Sequence, residues 1–512
     1  MTPATAPLNS PRPHGGPRAL HAATWASLVL LTACATPTPQ APGAAPAGQA
    51  LPAAWQAPRA ASAVAAAPAQ AGAPGAWLLQ HGDPALPPLV QAAQRASATV
   101  AQAGARIEHA RAARTAAGAA LLPGVNGVAT LGRGLADPGG VLATSANAGL
   151  QARWELDLFG SVRAGRDGAQ ARLNGAAADL HAARLAVAAE VASTLVDLRA
   201  CQAQAQQQQR DADSRAETAR ITDLAARAGL RAPADAALAR ASAAQGRTLW
   251  WQQQTACEVQ LKALVALTAL DEPTLRQQLA AGQAQLPTAV PVPLAALPAA
   301  LLQQRPDLAS AAAAVNAAAA DVALRDAQRW PQLSLSGSLG RTRISTAAAT
   351  LDGNTWSLGP LQVTLPLFDG GERAAQQVAA RATYDAAVLA YQANLRQAVR
   401  EVEEALVRLQ GVEQRQADVL GAAQQFNQVL QATEARWRGG LASQIELEEV
   451  RRSAVAATSA VLELQRERLA LGIALYRALG GGWDLAQLGA TEAAPTAPPT
   501  AATTSTATAA AR

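Results

Sequence analysis

Pro123-Gly-Val-Asn-Gly-Val-Ala-Thr-Leu-Gly-Arg133 is followed about 210 residues later by a second version of the same stretch, Pro331-Gln-Leu-Ser-Leu-Ser-Gly-Ser-Leu-Gly-Arg341. A second match keeps nearly the same offset, because Leu158-Phe-Gly160 returns as Leu367-Phe-Asp-Gly370. The two halves align almost without gaps. The chain therefore carries a tandem duplication of one supersecondary unit, and this duplication determines the architecture.

The composition is unusual for a compact globular protein. Half of the 512 residues are apolar but only 3% are aromatic, and alanine supplies most of the apolar count. Alanine buries little surface, so the composition favours closely packed helices over a large apolar core. The formal net charge is +5, and Lys262 is the only lysine. No clustered basic face with aromatic residues is present, so the sequence argues against nucleic-acid binding.

The N-terminus is typical of a secretory signal peptide over residues 1–33. Arg12 and Arg18 supply a positive region, and a short apolar stretch follows them. The segment ends in Leu31-Thr-Ala-Cys34, which resembles the lipobox of bacterial lipoproteins, where the cysteine is lipidated and becomes the mature N-terminus. Lipid chains on Cys34 would supply the multiple anchors that stable membrane attachment needs. An ordinary cleaved signal with an incidental cysteine is the alternative.

Two flanking segments lack apolar periodicity. Residues 34–76 are rich in Ala, Pro and Gly and are predicted to be a lipidated N-terminus with a tether, and residues 485–512 are predicted to be a disordered tail. The duplicated body divides into a first repeat at 77–284 and a second repeat at 285–484. Residues 308–324 come closest to a transmembrane helix, but polar residues interrupt them, so we predict no such helix.

Very long helices dominate each repeat. In residues 371–437 apolar side chains recur every three or four positions without a proline, which indicates a coiled-coil seam. Residues 160–227 carry the equivalent pattern. About 65 helical residues correspond to about 100 Å, far more than a globular domain uses. Each long helix is followed by a glycine turn, at Gly229 and at Gly439-Gly440, and then by a predicted return helix.

Between the helices, apolar and polar residues alternate with a period of two. Every second residue from Leu150 to Leu158 is apolar, and the second repeat shows the same pattern, so we predict β-hairpins at about 121–159 and 331–368. Alternation over about nine residues fits a strand that faces lipid on one side and water on the other. A half-buried strand of a soluble sheet alternates in the same way. Four such strands behind a secretion signal favour the membrane.

Four strands are too few to close a barrel, and an open sheet edge in hydrocarbon leaves backbone groups without partners. Closure therefore requires several chains. Three chains would give twelve strands, which is wide enough for an aqueous lumen surrounded by outer-membrane lipid.

The chain resembles the outer-membrane efflux protein family, the TolC-like exit ducts, in its lipoprotein branch. The resemblance covers about residues 50–484 and rests on ordered motifs: Trp154-Glu-Leu-Asp-Leu-Phe-Gly160, Leu302-Gln-Gln-Arg-Pro-Asp-Leu308, Pro366-Leu-Phe-Asp-Gly-Gly371, Arg436-Trp-Arg-Gly-Gly440 and Leu479-Gly-Gly-Gly-Trp483. It implies a homotrimeric twelve-stranded outer-membrane β-barrel continued by a long periplasmic α-helical barrel of antiparallel coiled coils. It also implies a periplasmic adaptor (membrane fusion) protein and an inner-membrane RND-type pump as partners, with drugs and toxic compounds as cargo.

The same resemblance implies a periplasmic gate near the helix turns. It assigns an acidic ring to Asp235, Glu446 and Glu449, a gate aromatic to Trp437, and the hairpin-tip turns to Gly229, Gly439 and Gly440. Carboxylates from three chains in a narrow mouth would focus negative potential and attract cations. The residues alone leave alternatives open: solvated helix-surface charges for the acids, and a packed seam residue for the tryptophan.

Three neighbouring residues complete the expectations for this region. Glu448 is expected to be a surface residue. Ala442 stands where some relatives carry an arginine that latches the gate. Cys201 and Cys257 are equally far in sequence from Gly229, on antiparallel helices. Ordinary helix spacing exceeds the Cα reach of a disulfide, so we expect two buried thiols, with a disulfide as the alternative in an oxidising periplasm.

Nothing in the sequence supports catalysis. The chain has no nucleophile elbow, zinc-protease motif, Walker-type loop or Cys-x-x-Cys, and its five histidines do not pair at ligand spacing. We therefore expect no enzyme activity, no metal site and no cofactor. Two functions other than small-molecule efflux stay open: the exit duct of a type I protein secretion system, and a structural periplasmic coiled-coil lipoprotein without a channel.

Overall fold

The computed structural model describes residues 54–57, 64–65, 83–136, 140–287, 292–293 and 305–481. The predicted signal peptide, Cys34, most of the tether and the C-terminal tail lie outside these described residues. The chain divides into two compact units. The first unit holds residues 117–167 and 319–381, and the second holds the other described residues.

Both repeats share the order of short strand, helix, β-hairpin, long helix and return helix, and the first repeat adds a second helix before the hairpin and a short helix at its end. The bounds of the long helices fall close to the predicted ones. The first half contains β1 Val64–Ala65, α1 Leu86–Ala96, α2 Ala98–Ala119, β2 Gly124–Ala136, β3 Val141–Leu156, α3 Ser161–Arg227, α4 Pro233–Thr268 and α5 Glu272–Leu279. The second half contains β4 Val292–Pro293, α6 Pro306–Ala327, β5 Gln332–Thr346, β6 Thr350–Thr364, α7 Glu372–Arg438 and α8 Gln444–Ala478.

A four-stranded antiparallel sheet with the order β2-β3-β5-β6 forms the centre of the first unit. Its register places Leu150 beside Leu339 and Leu339 beside Trp356, while Gln151 pairs with Ser338. Directly paired residues project from the same face of a sheet. One face is therefore apolar, and its side chains are exposed in the single chain, with Trp356 78% accessible. We call the side that carries Leu150, Leu339 and Trp356 the apolar face.

The second unit is built from the long helices. Both α3 and α7 contain 67 residues. Their seam leucines, together with those of the return helices, form the main core: Leu195, Leu198, Leu264, Leu406 and Leu409, all with 2% exposure or less. The predicted fold of four antiparallel strands and very long helices, repeated within one chain, is confirmed.

A buried arginine ties short segments to the first long helix. Arg199 is fully buried in α3 and donates from Nε to the Asp83 carboxylate at 2.9 Å. Its two terminal nitrogens donate to the backbone carbonyls of Leu279 and Ala281, each at 2.8 Å. Because the charge is paired and its donors are used, the burial is tolerated, whereas removing either partner would leave an uncompensated buried charge.

The structure corrects the expectation for the two cysteines. Cys201 and Cys257 form a disulfide between α3 and α4, with their Cα atoms 5.5 Å apart. The prediction of two separate thiols assumed ordinary helix spacing. Here the helices approach closely because small residues face each other: a Cβ on Gly246 would lie 3.3 Å from the Cα of Ala212. The cysteine pair therefore falls within disulfide reach.

Part of the predicted tether is bound to the helices. Trp55 is buried in the main core, with 8% exposure. The backbone N–H groups of Gln56 and Ala57 donate to the two carboxylate oxygens of Glu403 in α7, at 2.8 and 2.6 Å. The described residues of this segment are therefore a docked strap, which its Ala/Pro/Gly composition did not predict.

Within the described ranges, one helix, α6, is long and apolar enough to cross a bilayer by length and composition alone. Core helices of soluble proteins meet the same criterion. Leu308 at its start is 1% exposed and packs against Leu395 and Ala398 of α7.

Replacing both cysteines, Cys201→Ser with Cys257→Ser, is predicted to lower the free energy of unfolding by about 2–4 kcal/mol, because the disulfide restricts the unfolded chain. Thermal unfolding followed by circular dichroism measures the effect. A reducing agent should lower the midpoint of the wild type and leave the variant unchanged. Uptake of alkylating reagent by both cysteines in the unreduced, denatured wild type would show that the bond is absent.

Candidate functional site

The two turns between long and return helices have the same local geometry. Gly229 and Gly440 adopt φ values of +74° and +76°, a region that strains other residues. In both turns the following leucine donates its N–H to a carbonyl five residues earlier, Leu230 to Ala225 and Leu441 to Arg436, each at 2.8 Å. This is the Schellman pattern that ends a helix sharply, so the chain can reverse into α4 and α8.

The predicted acidic residues lie just beyond these turns. Asp235 is in the first turn of α4 and partly exposed, and Glu449 is exposed on α8. Glu446 forms an ion pair with Arg436 at 2.9 Å, so its charge is partly compensated within the chain. No ion pair joins Asp235 or Glu449 to a cation of the described residues.

Trp437 is packed inside the turn region. It is 7% exposed and forms a small cluster with Ala442 and Leu447, against which Ile221 of α3 packs. Its indole nitrogen is buried without a hydrogen-bond partner among the described residues. This geometry agrees with the seam alternative for Trp437. Ala442, where the resemblance led us to look for a latch arginine, is an apolar contact in this cluster.

The expectation that Glu448 lies at the surface is wrong. Glu448 is 9% exposed and its carboxylate accepts hydrogen bonds from Arg215 at 3.2 Å and from the Ser242 hydroxyl at 2.6 Å. Arg215 also donates to Asp211 at 2.7 Å, one helical turn earlier in α3. One carboxylate of α8 is thereby bonded to both α3 and α4.

A second arginine extends this network within α8. Arg451 is 2% exposed and donates to Glu448 at 2.9 Å. Its other terminal nitrogen reaches the hydroxyls of Ser214 and Thr218 on α3, at 3.1 and 3.2 Å, and it lies 3.5 Å from Glu434 on α7. We call the set Asp211, Arg215, Ser242, Glu434, Glu448 and Arg451 the buried ion network. It joins all four helices near the turns.

The buried ion network lies in a small space, so its ion pairs depend on the protonation of Asp211 and on the size of the neighbouring side chains. Burial is the largest influence on Asp211 and raises the pKa of its carboxyl above the ordinary 3.8, although Arg215 opposes the shift. Asp211 therefore takes up a proton at a higher pH than an exposed aspartate, and its pairing with Arg215 weakens as the pH falls through that raised value. A Cβ on Gly246 would lie 2.8 Å from Cδ of Arg215, so only glycine leaves room for the arginine.

Sequence reasoning missed this network, although a signal was available. Asp211, Arg215, Thr218 and Thr222 follow one another at intervals of four, three and four residues, the spacing of a buried seam. Polar residues at seam spacing indicate a buried polar stripe rather than a solvated face. All four are buried in the structure, with 6% exposure or less.

Comparisons with known proteins give a consistent result. The sequence profile described as "Outer membrane efflux protein" matches residues 89–270 and 297–481, once in each repeat. The chain is 31% identical over 487 residues to the pyoverdine export outer membrane protein OpmQ of Pseudomonas putida, covering 89% of this chain and 96% of that protein. It is 30% identical over 393 residues to the outer membrane protein OprJ of Pseudomonas aeruginosa, covering 74% and 80%.

Solved structures show the same architecture. The structure of the outer-membrane channel OprN superposes with a TM-score of 0.76 at 26% identity, covering 88% of this chain and 99% of that one.

Arg215→Met is predicted to destabilise the turn region by about 3–5 kcal/mol, because Asp211 would remain buried without its arginine and Glu448 would keep only Arg451 as a charged partner. Thermal unfolding and limited proteolysis at the turns measure the loss. Arg220→Met removes an exposed ion pair on the same helix and is the matched control, with an unchanged midpoint expected. The double variant Arg215→Met with Asp211→Leu should recover part of the stability, because it also removes the carboxylate that the single variant leaves unpaired. An Arg215→Met protein that melts with the wild type would show that the network contributes nothing.

Proposed function

This chain belongs to the outer membrane efflux protein family, and from that premise we propose that three copies form one conduit across the outer membrane with helical hairpins in the periplasm. The family consists of non-enzymatic outer-membrane channels of tripartite efflux pumps. The open four-stranded sheet is the observation that supports the proposed trimer. Its outer strands β2 and β6 each have a free edge in the single chain, and one face is apolar.

Free edges and an apolar face together require a specific environment. Backbone groups in hydrocarbon must all be paired, so β2 of one copy has to pair with β6 of the next. Such head-to-tail contacts close into a ring when the rotation fits. Twelve strands give a lumen wide enough for water and small solutes. The polar face, with Gln151, Ser338 and Ser357, would line that lumen.

The relatives support small-molecule export as the task. OpmQ is described as a pyoverdine export protein, and other similar proteins are described as outer membrane proteins of toluene and solvent efflux pumps. We therefore place this chain as the passive exit channel for small toxic compounds, together with an RND-type pump and a periplasmic adaptor. These names favour small-molecule efflux over the type I protein secretion duct.

The proposal includes a lipid anchor at Cys34. The lipobox-like sequence supports it, and the docked strap is consistent with it: Trp55 and the Glu403 contacts hold the chain about 20 residues after the cysteine. The predicted regions, 1–33 for the signal, 34–76 for the tether, 77–284 and 285–484 for the repeats and 485–512 for the tail, remain part of this proposal.

We place the gate at the helix turns. The buried ion network holds α8 against α3 and α4, so opening requires these ion pairs to separate. Asp235, Glu446 and Glu449 would form the acidic mouth, with Gly229, Gly439 and Gly440 at the hairpin tips. Trp437 would act by packing the tip rather than by projecting into the opening.

The hairpin tips also offer an apolar docking surface for the adaptor. Leu230 and Leu441, each directly after its turn glycine, are 79% and 75% exposed, and Ile445 is 66% exposed. Large apolar side chains at such positions gain free energy only if a partner covers them. The periplasmic adaptor is the occupant that the pump assembly supplies.

Purified protein in planar bilayers is predicted to conduct ions with a preference for cations. Asp235→Asn with Glu449→Gln should lower the ratio of cation to anion permeability, because the mouth loses negative potential. Glu108→Gln, an exposed acid on α2, is the matched control and should keep the wild-type ratio. Failure to conduct, even after Glu446 and Glu449 are neutralised, would reject the channel proposal.

Leu230→Asp with Leu441→Asp is predicted to abolish pump-dependent resistance to toxic compounds in living cells while the conductance in planar bilayers stays intact. Resistance needs the adaptor, and conductance does not. Sensitivity profiling with drugs, dyes and solvents, against a deletion strain, measures the loss and identifies the cargo. Leu224→Asp, an exposed leucine before the first turn, is the control. Full resistance in the double variant would place the adaptor elsewhere.

A further inference from the structure

The apolar face of the sheet carries charge in one part only. Over the described residues of the four strands, the side chains on this face are apolar, small or uncharged except at one end. The charged residues there are Arg133, Arg341, Arg343 and Asp352. The remaining charged residues of these strands, Arg153 and Glu155, project from the opposite, polar face. Charge on the apolar face is therefore concentrated, not scattered.

The register fixes the depth of these arginines. Both hairpin turns lie at the same edge of the sheet, because Ala143 of β3 pairs with Thr346 of β5. Arg343 pairs with Ala146 and Asp352 near that edge, about ten positions beyond Leu333. Ten strand residues rise about 33 Å, or about 25 Å along the membrane normal at a tilt of about 40°. The apolar band of such barrels is about 25 Å tall, so Arg343 falls at its turn-side boundary.

Aromatic residues mark the opposite boundary. The rings of Phe159 and Trp330 stack with centroids 5.7 Å apart, beside the ends of the strands that lead to the helices. Phe368, at the equivalent end of the second hairpin, is 94% exposed. Aromatic girdles occur at membrane interfaces. One boundary of the apolar band is thus aromatic, and the other is basic.

The arginines retain free donor groups. Arg341 uses Nε and Nη2 for the Asp352 carboxylate, at 2.9 and 2.7 Å, and Nη1 takes no part in that pair. Arg133 and Arg343 form no ion pair with any residue that the structure describes. Asp137 lies outside that part of the chain. In the described strands, three arginines thus face one carboxylate at this boundary.

We propose that Arg133, Arg341 and Arg343 bind the phosphate groups of anionic glycolipid in the outer leaflet of the membrane. The proposal rests on the proposed function, because the hairpin turns must face the outside of the cell. A guanidinium binds phosphate with two parallel hydrogen bonds, and its affinity is higher next to hydrocarbon than in water. Asp352 orients Arg341, while Arg343, two positions further along β5, is available to a second phosphate oxygen.

The alternative role of these side chains is to extend into interfacial water without a specific lipid. The two roles predict different lipid binding: a specific site needs the lipid phosphate groups, whereas arginines that only extend into interfacial water do not. Purified full-length protein in a neutral detergent is titrated with diphosphoryl lipid A. A second titration uses the same lipid after enzymatic dephosphorylation. Native mass spectrometry counts the lipid molecules bound in each case. The wild type should bind the phosphorylated lipid about tenfold more tightly, and the preference should shrink as salt rises.

Arg133→Gln with Arg343→Gln should lose this preference. Arg133→Lys with Arg343→Lys should keep part of it, because the charge remains but the bidentate geometry is lost. Arg153→Gln, on the polar face of β3, is the matched control and should bind as the wild type does. Inorganic phosphate at the same concentration should leave the lipid bound.

Three results would overturn the lipid site. They are equal wild-type affinity for both lipid forms, an Arg153→Gln effect as large as that of the double variant, and displacement of the lipid by inorganic phosphate. Conductance in bilayers of uncharged lipid tests the channel separately. A wild type that conducts but shows no phosphate preference rejects the lipid site alone, whereas the absence of conductance, even after Glu446 and Glu449 are neutralised, rejects the proposed function.

Discussion

The structure depends on one constraint: backbone groups at the edges of a sheet cannot remain unpaired in hydrocarbon. Each unpaired buried N–H or C=O group costs several kcal/mol. The strands contain 13 to 16 residues, so the free edges of β2 and β6 would carry a prohibitive cost in lipid. Leu358 and Trp356, 80% and 78% exposed in one chain, add an apolar surface that water disfavours. A single copy is therefore unfavourable both in lipid and in water, and the proposed assembly of several copies in the membrane would satisfy both requirements.

The helical unit has a different limitation, since alanine gives it little apolar surface to bury. Close packing compensates for this shortage, because small side chains bring more backbone and side-chain atoms into contact. The approach of α3 and α4 at Gly246 and the disulfide between Cys201 and Cys257 are two consequences of that proximity. Docking of Trp55 adds one large side chain to a core that contains few. The alanine-rich composition therefore allows the short distance between α3 and α4, and this short distance allows the disulfide.

Sequence periodicity predicted the strands and the long helices, which depend on the local pattern of apolar residues. It missed the contacts that depend on residues far away in the sequence. Alternation from Leu150 to Leu158 predicted which side of the strand is apolar, and seam spacing through Leu406 and Leu409 predicted which side of α7 is buried. Both predictions agree with the structure. Burial of Glu448 depends on Arg215, 233 positions away, and the strap depends on Glu403, 346 positions from Ala57. Periodicity identifies a face and contains no information about the group that will contact it. The gate residues taken from the family resemblance remain predictions for the same reason.

A buried ion network is suited to a contact between helices that must be stable when formed and must also be able to separate. The desolvation cost of buried ions nearly cancels their mutual attraction, so a complete network such as Arg215 with Glu448 is close to energetic balance. An apolar contact of the same size would lose stability in direct proportion to the surface that separation exposes. Separated ions are instead hydrated by the water that enters, and this hydration offsets the lost ion pairs. A partner that binds the open arrangement then needs only a modest difference in affinity to change the population. A fall in pH through the raised pKa of Asp211 acts in the same direction, because protonation of its carboxyl removes one counter-charge from Arg215.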